Sequence, residues 1–99
     1  MRFVIEYSPE TESHFQALTA RQRAIVMDSV DRQLGDEPLR ETRNRKPMHP
    51  NLLAPWELRT GDLRVYYDAE ESPTPKVYIR AIGIKKRSRV YIGGVEIQL

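Results

Sequence analysis

Cysteine is absent from the 99 residues, which excludes disulfides and thiolate metal sites. Histidine occurs only at His14 and His49, and no carboxylates stand at ligand spacing to either, so no metal site is expected. No stretch approaches the roughly 20 apolar residues of a membrane span. The opening Met1-Arg2-Phe3-Val4-Ile5 turns polar at Glu6, too soon for the apolar core of a signal peptide. A chain of this length also lacks room for a second lobe around a large cofactor. These absences lead to the expectation of a single cytoplasmic domain with no cofactor.

What is present is enough to fold. With 39% hydrophobic and 30% charged residues the chain reads as globular rather than disordered. A chain of this size buries roughly 60–70% of its unfolded surface. The net charge of +2 conceals an asymmetry: residues 1–39 carry four basic and seven acidic side chains, residues 40–99 twelve and seven. A basic C-terminal part suits a polyanion such as nucleic acid, or is a solvated surface of uneven sign.

Arg2–Tyr7 alternates as a strand, and Ser8-Pro9 reads as a helix start with Ser8 at the N-cap. That first helix should end near Leu18. Thr19-Ala20-Arg21-Gln22 fits a capping box that opens a second helix, with Ile25, Val26, Met27, Val30 and Leu34 on its apolar side and Gly35 as its stop. Residues 36–55 hold four prolines and the cations Arg40, Arg43, Arg45 and Lys46, an irregular connection with room for a short strand at Lys46–Met48. Strand-like runs follow at Trp56–Arg59, Leu63–Asp68 and Val77–Ile84, and Gly93-Gly94 favours a turn before a short strand in Val95–Leu99. The order β-α-α-β-β-β predicts an α+β domain whose N-terminal helical hairpin packs on a small, mostly antiparallel sheet.

Two segments carry the chemistry. Gly61-Asp62 can form a type II′ turn, which pairs Arg59 with Arg64, Leu58 with Val65 and Glu57 with Tyr66. One face of that hairpin then shows Trp56, Leu58, Leu63, Val65 and Tyr67, and the other Glu57, Arg59, Arg64 and Tyr66. Two arginines directly opposed repel, so they form either an Arg–Glu–Arg surface ladder with Glu57 or a pair of phosphate-binding guanidiniums. The second segment, Lys85-Lys86-Arg87-Ser88-Arg89, sets four cations in five residues just after a strand and just before Tyr91. It should lie at the sheet end near the first arginines.

The segments W-E-L-R-x-G-D-L-R-V-Y-Y and I-R-A-I-G-I-K-K-R-S-R-V-Y, preceded by a helical hairpin, resemble the RelE/ParE toxin superfamily. The resemblance implies a toxin of a type II toxin–antitoxin system, covered by a cognate antitoxin. RelE-type members act on mRNA at the ribosome as metal-independent endoribonucleases, and ParE-type members inhibit DNA gyrase. By that resemblance the catalytic residues are Arg64, Lys85, Arg87 and Tyr91, and Tyr91 favours the RNA-cleaving branch. Arg40, Arg43, Arg45, Lys46, Arg59, Lys86 and Arg89 are the expected RNA-binding cations. The chain departs from the pattern where Pro55 and Glu57 stand in place of upstream lysines, and no histidine follows Tyr91. A RelE-like binding protein without toxicity is a third reading. Outside the resemblance, His49 is the one other candidate acid or base, and a lone histidine in a proline-flanked loop is usually incidental; His14, on the first helix, is a weaker candidate.

Overall fold

The computed structural model describes residues 1–99. Strand β1 (Val4–Tyr7) is followed by helices α1 (Thr11–Gln16) and α2 (Ala20–Leu34). Then come β2 (Arg45–Pro47), β3 (Trp56–Thr60), β4 (Leu63–Glu70), β5 (Lys76–Lys86), β6 (Arg89–Ile92) and β7 (Val95–Ile97). The sheet runs β2-β3-β4-β5-β6-β7, all antiparallel, with β1 added in parallel beside the first half of β5. This is the expected α+β arrangement with a larger sheet. The short strands expected near Lys46 and after Gly94 form as β2 and β7, and the added strand is β6, with which the basic run around Lys85 forms a hairpin. No helix is long and apolar enough to cross a membrane.

The helices start and stop for local reasons. Thr19 Oγ1 accepts from the Gln22 amide at 3.1 Å, and Gln22 Oε1 accepts from the Thr19 amide at 2.9 Å, so the capping box forms as the residues require. Helix α1 begins at Thr11, later than Ser8-Pro9 suggested. The Ser8 amide still donates to Ile79 O at 2.9 Å and its hydroxyl to Arg80 O at 3.2 Å, so Ser8 stays pinned to β5 and does not cap the helix. On α2, Val26, Val30 and Leu34 are fully buried, while Ile25 and Met27 are exposed. The buried stripe is therefore narrower than the sequence pattern.

Two cores form, one on each face of the sheet. The larger lies under the helices and joins Val26, Val30 and Leu34 to Leu58, Val65, Tyr67, Ile79 and Ile82. Each such buried aliphatic side chain contributes roughly 1.5–3 kcal/mol. The smaller joins Tyr66, Ala54, Ala81 and Ile92 on the opposite face. Tyr66 and Tyr67 are adjacent in sequence and both at 0% exposure. Successive strand residues point to opposite faces, so both can be buried only where the sheet is covered on both sides. The loop from Met48 to Ala54 and the β6–β7 hairpin supply that second cover.

Candidate nucleic-acid interface

The β3–β4 hairpin forms in the register read from its turn: Arg59 faces Arg64, Leu58 faces Val65, Glu57 faces Tyr66 and Trp56 faces Tyr67. Gly61 has φ +58° and Asp62 has no positive φ, the type II′ pattern. The β4–β5 pairing then sets Arg64 opposite Gly83, and the β5–β6 pairing sets Gly83 opposite Ile92. Directly paired residues share a face, so Glu57, Arg59, Arg64, Tyr66 and, two residues beyond Gly83, Lys85 occupy the side away from the helices. Arg64 and Lys85 are diagonal neighbours there, about 7–8 Å apart at Cα. The Lys85 amide donates to Asp62 O at 2.7 Å and ties the two turns together.

The opposed arginines avoid each other. Arg59 Nε donates to Glu57 Oε1 at 2.7 Å, while Arg64 Nη1 folds back onto the carbonyls of Gly61 and Leu63 at 2.7 and 2.9 Å. Arg59 is thus largely neutralised, whereas Arg64 makes no ion pair and keeps its remaining N–H groups free. Lys85 and Arg87 are exposed and also unpaired. Arg87 takes φ +61° at the tip of the β5–β6 turn. A side chain in that region costs about 1–2 kcal/mol, which glycine would avoid.

Four expected members of the site lie elsewhere: Tyr91 and Arg45, and also Lys86 and Arg89, which pair with each other on Tyr91's side of the sheet. Tyr91 pairs with Ile84 and so points to the helix side, where it lines a crevice of about 210 Å³ with His14, Leu18, Ile82 and Lys86. Lys86 Nζ sits 5.6 Å from the Tyr91 ring centroid. One residue of strand parity separates Tyr91 from Lys85, and that is enough to put it on the other face from Arg64. Arg45 is a second correction. It pairs with Leu58 on the helix side, and its guanidinium donates to the carbonyls of Gln33 at 2.5 Å, Asp36 at 3.3 Å and Arg40 at 3.1 Å. It fastens the end of α2 and is not free for RNA.

Other expected RNA contacts are partly engaged. Arg40 pairs with Glu37 at 3.1 Å, Lys46 with Glu41 at 3.6 Å and Arg89 with Glu96 at 3.4 Å, all at the surface, where such pairs yield readily to a phosphate. Arg43 is exposed and free of ion pairs.

The residues least expected at the site are Glu57 and Tyr66. The Glu57 side chain is only 11% exposed, and Tyr66 is fully buried beside it. Burial first, then the Glu57 charge, raises the Tyr66 phenol well above its ordinary value, so it stays protonated. Its hydroxyl nonetheless makes no hydrogen bond of proper geometry to Glu57 or to any other group. An unpaired buried hydroxyl costs about 1–3 kcal/mol. The alternation in W-E-L-R signalled that Glu57 would face the arginines; nothing local signalled its burial.

No family model matches the chain, and no curated protein matches it. Among solved structures, the chain is similar to a chain in the crystal structure of the toxin–antitoxin complex RelBE2 from Mycobacterium tuberculosis. The TM-score is 0.72 at 22% sequence identity, covering 86% of this chain and all of that one. The protein shares the fold of that chain.

Proposed function

We infer that the protein is the toxin of a toxin–antitoxin pair, a cytoplasmic, metal-independent endoribonuclease that cuts mRNA on the ribosome and is silenced by a cognate antitoxin. The fold supports the toxin reading, since the similar structure is a toxin–antitoxin complex. The observation that carries the RNA reading is the placement of Arg64 and Lys85, both unpaired, on one face, with Arg87 held at the adjoining turn tip.

Cleaving RNA in this way means in-line attack of a ribose 2′-oxygen on its own phosphate and protonation of the leaving 5′-oxygen. Arg64 and Arg87 stabilise the charge that develops on phosphorus-bound oxygens, and Lys85 binds the phosphate. Lys46 and Arg43 extend the basic track toward neighbouring nucleotides. Tyr91, on the other face, takes no part in this site.

Translation of a defined mRNA with the purified protein tests the reading: cleavage at ribosome-occupied codons supports it. A ParE-like reading stays in play because Tyr91, the residue that favoured the nuclease branch, stands apart from Arg64. Loss of gyrase supercoiling without RNA cleavage would establish that second reading. Neither effect, together with unslowed growth on induction, would point to a binding protein.

A further inference from the structure

Resting on the RNA-cleaving reading, we propose that the crevice between the Met48–Pro55 loop and the β4–β5 pair holds a guanine base of the RNA, read by Arg80 and Asp68. The crevice measures about 660 Å³, and Met48, Leu53 and Pro55 give it an apolar wall. That volume lies within the roughly 300–1,000 Å³ typical of small-ligand sites. The two charged side chains that line it, Asp68 and Arg80, come from the sheet.

The strands bring these two together. Tyr66 pairs with Ala81 and Tyr67 with Ile79, so Arg80 is the extra residue of a β-bulge. Bulges re-aim side chains and are frequent beside functional sites. Here Ile79 and Ile82 both stay in the helix-side core while Ala81 joins the opposite one, which leaves Arg80 on the outer face. Asp68 pairs with Tyr78, two residues before Arg80. It follows Arg64 and Tyr66 on the same face of β4, about 13 Å from Arg64 at roughly 3.3 Å per residue. An RNA strand whose scissile phosphate rests on Arg64 therefore has neighbouring nucleotides within reach of the crevice.

Both groups are held still and left open. Neither forms an ion pair, with the other or with any residue. The Arg80 guanidinium lies 5.2 Å from the centroid of the Tyr78 ring, and the Tyr78 hydroxyl donates to Glu70 Oε1 at 2.9 Å, so the fork is steadied without spending its N–H groups. Asp68 Oδ1 accepts from the Ala69 amide at 2.7 Å, which orients the carboxylate and leaves Oδ2 open. The loop opposite is fastened by Asn51, which donates to the carbonyls of His49 and Ala54 at 2.8 and 3.0 Å and accepts from the amides of Leu53 and Ala54 at 2.7 and 3.1 Å.

Guanine matches this pair of groups. Its O6 and N7 accept from an arginine fork, the commonest specific base contact. Its N1–H and N2–H groups donate side by side to a carboxylate. Adenine sets its N6 amino group against the arginine and has no proton on N1, so each contact is lost in part. Cytosine offers the carboxylate a single amino group. The apolar wall covers the face of a base drawn out of its stack. The contact selects the substrate; the scissile phosphate stays with Arg64, Lys85 and Arg87.

Cleavage of ribosome-bound mRNAs that differ in one base near the cut (guanine, inosine, adenine or cytosine, moved through each neighbouring position) tests this on the wild type, D68N and R80Q. At one fixed position the wild type should cut the guanine message roughly 5–150-fold faster than the adenine or cytosine one. Inosine, which lacks the N2 amino group, should fall between. D68N and R80Q should each bring the guanine-to-adenine ratio close to one. The ratio is taken within each variant, so a loss of folded protein does not move it. Variants that both keep the wild-type ratio overturn the proposal, as does a wild type that cuts all four messages equally or prefers cytosine. Cleavage in those cases leaves the nuclease reading standing; a wild type that cuts no RNA removes both.

Discussion

The two faces of the sheet are built on opposite terms. Under the helices, twelve buried side chains close into a continuous apolar core. On the other face only four are buried, and they sit beside an ionisable carboxylate, a hydroxyl without a partner and unpaired cations. The first face is optimised for stability. The second leaves polar groups unpaired and a turn strained at Arg87, so its residues were not chosen for packing alone. Stability and chemistry have been assigned to different sides of one sheet.

Substitutions on each side sharpen this division. Leu34→Ala, at a fully buried position in the helix-side core, should cost about 2–5 kcal/mol of unfolding free energy in urea titrations, without altering cleavage where the protein stays folded. Arg64→Ala should lower RNA cleavage and growth inhibition by roughly 10²–10³-fold, as expected for one lost charge stabiliser, with the unfolding midpoint nearly unmoved. A folded Arg64→Ala variant of full toxicity would erase the distinction between the faces.

Arg45→Ala probes the correction to the RNA-binding set. It should cost about 1.5–3 kcal/mol in stability, because a charged donor is removed from three carbonyls, while affinity for a short RNA stays unchanged. A large loss of affinity with no loss of stability would return Arg45 to the interface. The smallest effect concerns His14. Burial lowers its pKa, opposed by Glu10, and its Nδ1 accepts from the Ile82 amide at 3.2 Å. A group that binds its proton less readily when folded contributes stability above its unfolded pKa of about 6.5, and that contribution is lost as pH falls through the lower folded value. The wild-type Tm should therefore drop more between about pH 7.5 and 5 than that of His14→Gln.

Much of the fold was legible in the chain, and the reasons are local. Thr19 and Gln22 announce their helix because a capping box needs only four consecutive residues. The Arg59–Arg64 register follows from Gly61, since a two-residue turn leaves one way to pair the strands. Arg45 was misread because a cation in a basic, proline-rich stretch looks solvated until the end of α2 is known to lie beside it. Glu57 reads as a neutralising surface charge for a similar reason: the loop residues Met48–Asn51 that share its pocket are brought beside β3 only by the fold.

Residue order alone settled the helical hairpin, the opposed arginines and the concentration of positive charge around Lys85. Each depends on turn chemistry, caps and strand alternation, which act over a few residues. Only the assembled molecule decided that Tyr91 and Arg64 stand on opposite faces, that Arg45 is a clasp, and that Glu57 and His49 share a pocket. Those outcomes depend on strand parity carried across several pairings and on a loop closing over a distant face, and such contacts leave no mark in the neighbouring sequence.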